Sequence, residues 1–455
     1  MTDNSKDAQP MPCNTDRSAR WWFIGLIVLG LLMRAVLWLS YEPIAYSDTG
    51  SYLRLGEAVL GIGVRGYDGT RVLGYPVFVA FLGLEPLNIW LGQMILGIAI
   101  SGLLFWLGWT TTGRVWIGVL LGALYNLIPG QLFFEANILT ETLTTFLIVL
   151  SLALFLALFR SNTITAKLIF SACLGISASL VGMVRPLFFP LTLLFLPFLW
   201  FGIQTEKKHR LAVIATYAVF PLLIQGGWLL YMYNHWGVFS PTTMAGYSMV
   251  QHTGGYFEYL PDEYASIRDT YIRFRDAQIA ERGVQTNTIW EAIPAISEAS
   301  GIGFYDLARE LNRLSWMLIR EHPDLYLRNI VVGWISFWKA PIYWQPETMH
   351  PAVMRATFQI LAWVGRGLSV LANFAFLLLS ISIVLSRRLR SRIIIDPILW
   401  VSMAMVWMIS IVQTMMDHGD NPRFLVPLQM VVVYVVLRNL WIWSQGRIYL
   451  EVIDR

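Results

Sequence analysis

Ten apolar stretches, most of them about as long as a bilayer is thick, leave this 455-residue chain few ways to fold. They cover residues 22–41, 88–110, 115–129, 138–159, 164–184, 187–203, 211–233, 358–386, 397–416 and 424–443. About 20 residues at about 1.5 Å rise cross the hydrocarbon core, so only the third and sixth stretches are short. With 56% hydrophobic and 14% charged residues, the chain is far more apolar than a soluble domain. The expected fold is an all-α polytopic membrane protein of about ten transmembrane helices.

Basic residues orient it, because short loops rich in Lys and Arg stay in the cytoplasm. With Arg17 and Arg20 inside, the cytoplasmic turns fall near Arg114, near Arg160 and Lys167, at Lys207–Arg210, and at the Arg387–Arg392 cluster. Every basic cluster then shares one side, and both termini are cytoplasmic. The net charge of +4 is thereby used in orientation. With no basic stripe interleaved with aromatics in a soluble segment, the expectation is no nucleic acid. Cys13 and Cys173 lie in the tail and inside the fifth span, which leaves no disulfide framework. The first span, without a small-residue cleavage pattern, reads as an uncleaved anchor.

This topology divides the chain into a cytoplasmic tail (1–21), an N-terminal membrane module (22–233) with a first outer loop at 42–87, a large non-cytoplasmic loop (234–357), and a C-terminal membrane module with a tail (358–455). A loop as long as 234–357 is expected to have structure of its own. Leu307, Leu311, Leu314 and Leu318 recur at helical spacing between arginines, Pro323 breaks the helix, and Trp334 and Trp338 mark a second apolar face. Both segments read as amphipathic helices lying in the membrane interface.

Charged residues collect on the outer face. Asp48 follows the first span, Arg71 precedes Gly74-Tyr75-Pro76, Glu141 opens the fourth span, Arg185 turns between the fifth and sixth, and Asp417-His418-Gly419-Asp420-Asn421-Pro422-Arg423 forms the last outer turn. Each also has a plainer reading: Glu141 as an acid at a helix N-terminus, Arg185 as a cation at a helix C-terminus, the 417–423 segment as a solvated turn. Arg34 sits inside the first span, where a lipid-facing cation costs about 2.5–3.5 kcal/mol. It shares a helix face with Trp38 and Tyr41, and is expected either to snorkel or to line a polar cavity beneath Asp48.

The order of these motifs (Asp48 and Tyr52 after the first span, Arg71 with Gly74-Tyr75-Pro76, Thr140-Glu141, and the late His418-Gly419-Asp420-Asn421-Pro422-Arg423-Phe424 run) resembles the GT-C superfamily of integral-membrane glycosyltransferases. The likeness is nearest to the branch of protein O-mannosyltransferases and lipid A aminoarabinose transferases. It implies transfer of a sugar from a polyprenyl-phosphate donor to a lipid, glycan or protein acceptor on the non-cytoplasmic face. It also implies Asp48 as catalytic base and Glu141 as the second acidic position. Mannosyltransferases of this kind commonly carry Asp-Glu in the first loop, whereas Thr49 follows Asp48 here, so Asp48 is expected to act as a lone base.

The chemistry fits these residue types. A hydroxyl nucleophile needs a positioned base, and a departing lipid phosphate suits arginine forks, for which Arg185 and Arg423 are candidates with Arg34 and Arg71 in reserve. Tyr52, Tyr75, His418 and Asp420 are candidate substrate contacts. A divalent cation held by Glu141 or Asp420 remains open, with membrane lipids as further partners and a bacterial inner membrane, site outward, as the setting. The rival readings are an enzyme like the O-antigen ligases and polymerases, with key Arg and His residues in the late loop, and a transporter or flippase of lipid-linked sugars, with polar residues near the midplane.

Overall fold

The structure is a computed structural model describing residues 14–386, 396–419 and 421–453. The Arg387–Arg392 cluster, Cys13 and Asp420 lie outside the described residues. The chain is all-α. Its elements are α1 (Asn14–Ser40), α2 (Thr49–Gly61), α3 (Gly74–Phe81), α4 (Pro86–Thr112), α5 (Val115–Leu127), α6 (Pro129–Ala136), α7 (Glu141–Arg160), α8 (Ile164–Val184), α9 (Leu191–Gly202), α10 (Lys207–Pro221), α11 (Gly227–Trp236), α12 (Ala245–Thr253), α13 (Ala265–Arg282), α14 (Thr288–Ser300), α15 (Phe304–Glu321), α16 (Pro323–Phe337), α17 (Ala352–Leu385), α18 (Pro397–Met416) and α19 (Gln429–Ile453).

Eight helices among the described residues are long and apolar enough to cross a membrane: α1, α4, α7, α8, the run Lys207–Trp236, α17, α18, and the run Pro422–Ser444. The protein is an integral, multi-pass membrane protein. The third and sixth apolar stretches are the ones that differ. The third becomes α5 and α6, which meet at 55°, because Pro129 lacks the N–H that would continue the helix. The sixth is the shorter apolar segment Pro186–Gly202, which contains α9. Another proline, Pro221, stands where α10 passes through a π turn at Leu222–Gly226 into α11, so that one run keeps going through the break.

The leucine stripe of α15 behaves differently from its sequence reading. Leu307, Leu311, Leu314 and Leu318 are fully buried, and their neighbours are Tyr247 and Val250 of α12, Ile267 and Tyr271 of α13, and Ile289 and Ile296 of α14. That face forms the core of a separate helical bundle and does not lie on a membrane surface. α12 and α15 approach so closely that a Cβ on Gly246 would sit 1.8 Å from the Ala308 carbonyl oxygen. On α16 the expected face is turned inward as well, Trp338 being buried in the main core and Trp334 stacked on Trp407, while the residues left exposed are Leu327, Val331, Val332 and Ile335.

Two backbone links hold the first loop in place. Ile44 N–H donates to the Ala136 carbonyl at 3.0 Å, and Ile138 N–H donates to the Ile44 carbonyl at 3.1 Å, which forms an isolated parallel bridge between Ile44 and Asn137. Thr49 Oγ1 adds a hydrogen bond to the Ile138 carbonyl at 3.0 Å and accepts one from Tyr46 N–H at 2.9 Å. The side chain after Asp48 is thus used as a stitch.

Candidate active site

Asp48 stands where α2 begins, a position in which an acidic side chain usually caps its own helix. Here it makes no such bond. Its carboxylate turns outward between two arginines: Oδ1 accepts from Arg71 Nη2 at 2.7 Å and Oδ2 from Arg423 Nη1 at 3.0 Å. Arg71 is aimed by a tight turn in which Thr70 N–H and Oγ1 donate to Asp68 Oδ1 at 2.9 and 2.7 Å. Its guanidinium lies 5.4 Å from the centre of the Tyr52 ring. Asp68 both shapes that turn and pairs with Arg54 at 2.9 Å.

The network continues inward. Arg423 Nε donates to Glu141 Oε1 at 2.5 Å, and Arg185 Nη1 reaches the same oxygen at 3.1 Å. Arg185 rests 4.3 Å over the Phe424 ring. Glu141 is fully buried, and among the described residues its Oε2 has no hydrogen-bond partner. Five segments far apart in the chain thereby form one line, Arg71–Asp48–Arg423–Glu141–Arg185. Three guanidiniums against two carboxylates leave it one positive charge in excess. Burial pushes the Asp48 carboxyl up, but Arg71 and Arg423 outweigh it and hold the group below the usual carboxylate range.

The other expected site residues lie behind this line or away from it. Tyr52 is buried and packs edge-on against Tyr75, with ring centres 4.9 Å apart. The Tyr75 hydroxyl is taken up by Gln93 Oε1 at 3.2 Å, so Tyr75 supports the site from behind and is closed to substrate. Arg34 lines no cavity under Asp48. It is 3% exposed and binds Glu135 through both Nε (2.8 Å) and Nη2 (2.5 Å), while Nη1 donates to the Gly30 carbonyl and Asn126 Oδ1 at 3.0 Å each. With those donors engaged it is a structural cation, not a phosphate ligand. Tyr125 donates to Glu135 Oε1 at 3.1 Å and completes the knot.

His418 is likewise apart from the acid–arginine line. Its ring faces His252, with centres 5.4 Å apart, and Tyr326 meets His252 edge-on at 5.2 Å. His252 is fully buried, and among the described residues neither ring nitrogen has a hydrogen-bond partner. Burial, and then the neighbouring His418, lower its pKa to about 3. In the unfolded chain it titrates near ~6.5, so between these values the unfolded state binds the extra proton and stability rises with pH. Thermal or denaturant unfolding in detergent should therefore show stability complete above about pH 6.5 and falling by roughly 1.4 kcal/mol per unit below it. His252→Phe should flatten most of that slope; a variant as pH-sensitive as the parent would contradict the assignment.

Sequence reasoning missed Gln93, whose Nε2 donates to the Glu135 and Asn137 carbonyls at 2.9 and 2.8 Å. It also missed Asn126. Both are polar residues inside apolar stretches, and that is the signal that could have found them. Asp420, one of the two residues expected to hold a divalent cation, lies outside the described residues. Among the described residues no three His, Cys, Asp or Glu side chains converge, and three arginines already occupy the carboxylate oxygens of Asp48 and Oε1 of Glu141.

No protein-family model and no curated protein matches the sequence. Three solved structures are similar in shape. The archaeal oligosaccharyltransferase AglB from Archaeoglobus fulgidus, in complex with an inhibitory peptide and a dolichol-phosphate, aligns over 96% of this chain at 11% identity and a TM-score of 0.49. The chain spans 52% of its length. ArnT from Cupriavidus metallidurans aligns in the apo state at 12% identity and TM-score 0.37, covering 93% of this chain and 78% of ArnT. Its form bound to undecaprenyl phosphate aligns at 13% and 0.35, covering 92% and 77%. Likenesses this distant assign no activity to this chain.

Proposed function

We propose that the protein is a membrane glycosyltransferase of GT-C type, moving a sugar from a polyprenyl-phosphate donor to a hydroxyl acceptor on the non-cytoplasmic face. The carrying observation is the Arg71–Asp48–Arg423–Glu141–Arg185 line, with its excess positive charge and with Asp48 as the more exposed of its two acids. Asp48 keeps 26% of its side chain exposed, against none for Glu141.

The setting supports this reading. The line joins the loop after α1, the start of α7, the end of α8 and the start of the last span. Arg17, Arg20, Arg114, Arg160, Lys167 and Lys207 lie at the opposite ends of the spans, the side that stays in the cytoplasm. A transporter would be expected to hold its polar site near the midplane; the line instead sits at the helix ends.

In the proposed reaction the acceptor oxygen attacks the anomeric carbon as the bond to the phosphate oxygen breaks. The phosphate leaves with the electron pair, and the acceptor proton passes to Asp48. Arg71 and Arg423 can turn toward the donor phosphate, with Arg185 behind them, and stabilise its growing charge. As they do so, Asp48 loses the cations that depress its pKa while its partial burial remains. It would become a better base with the donor in place.

The test is transfer by purified protein from a labelled polyprenyl-phosphate sugar to an added acceptor. Sugar-free polyprenyl phosphate should compete with the donor. Arg71→Gln should weaken that competition roughly tenfold or more, the effect of one charge-assisted hydrogen bond of about 1.5–3 kcal/mol. Absence of both transfer and phosphate binding would refute the proposal.

A further inference from the structure

An open cavity lies well away from the acid–arginine line. It is an open groove of about 1000 Å³ between α1 and α4, backed by Phe146 and Leu150 of α7. Arg20 alone among its lining residues is charged, and it stands at the end of the groove nearest the N-terminus of α1. Leu31 marks the far end on the same helix. The eleven residue steps from Arg20 to Leu31 rise about 16 Å at ~1.5 Å each, close to half of the ~30 Å hydrocarbon core.

We propose that this groove binds an anionic phospholipid of the cytoplasmic leaflet, acyl chains against α1, α4 and α7 and phosphate at Arg20 and Arg17. The two arginines are three residues apart, so they share a helix face. Both are exposed, and neither takes part in an ion pair among the described residues. A chain ending at half the bilayer, with its charge at the cytoplasmic boundary, has the dimensions of a single-leaflet lipid. A carrier whose phosphate met Arg71 and Arg423 would approach from the other end of α1, so the charge at Arg20 would have no counterpart in it. Gly102 keeps the groove open: a Cβ there would come within 3.3 Å of the Phe23 ring.

The experiment is native mass spectrometry of the delipidated protein in mixed micelles holding phosphatidylglycerol and phosphatidylcholine of matched chains. Phosphatidylglycerol should be retained preferentially, and that preference should fall about fivefold for each of Arg17→Gln and Arg20→Gln, the value of one basic residue near a membrane surface. Gly102→Leu should reduce retention of both lipids alike. Equal retention of the two lipids by the parent protein overturns the proposal. So does a preference that survives loss of both arginines, or displacement of phosphatidylglycerol by polyprenyl phosphate in the Gly102-sensitive site. Unchanged melting of the two arginine variants, whose side chains are exposed, establishes that the loss is one of binding.

Discussion

Asp48→Asn is expected to lower turnover by about 10²–10⁴-fold, the usual contribution of a positioned general base, while leaving the protein folded. Asparagine matches aspartate in shape, and its carbonyl oxygen can still accept from Arg71 or Arg423, which now meet Asp48 at 2.7 and 3.0 Å. What it cannot do is take up a proton. The change also adds one positive charge to a line that already carries an excess, so donor binding should tighten or hold steady while kcat falls. This split separates Asp48 from Arg71, whose loss should act on donor affinity. Steady-state kinetics with a labelled lipid-phosphate sugar reads both quantities. Full transfer by the asparagine variant would remove Asp48 from the chemistry.

The second large effect concerns stability. Arg34→Leu would leave Glu135 buried without its cation, and breaking a buried pair in this way costs about 3–5 kcal/mol. The fall should appear as a lower unfolding midpoint in detergent, with activity declining only as the folded fraction declines. Replacing both partners, Arg34→Met with Glu135→Gln, should recover much of the loss, because no charge is then stranded. Were Arg34→Leu to remain stable but bind donor poorly, Arg34 would belong to the donor site after all.

The difference between these two arginine–acid systems shows what the sequence can and cannot reveal. Asp48, Glu141, Arg185 and Arg423 all sit at span ends, where hydropathy marks the boundary and parity gives the side. Their grouping on one face could be read before any coordinates. Arg34 sits inside a span, and its partner depends on the turn at Pro129 that brings Glu135 back toward α1, a tertiary event that leaves no periodic trace. The leucines of α15 are opaque for another reason. A stripe with helical spacing looks the same whether it meets lipid or the core of a small bundle, and only the complementary residues of α12, α13 and α14 decide between them. His252 could not be paired with His418 from sequence, since 165 residues separate them and neither belongs to a motif that requires the other.

The bridge at Ile44 and Asn137 carries a wider consequence. Each of these residues lies four positions before one of the two acids, Ile44 before Asp48 and Asn137 before Glu141. Main-chain hydrogen bonds, which do not depend on side-chain identity, thus act as the pivot of a pair of callipers whose tips are the two carboxylates. Sequence drift in the surrounding loops, or motion of the 245–321 bundle, can alter what enters the gap while leaving its width nearly unchanged.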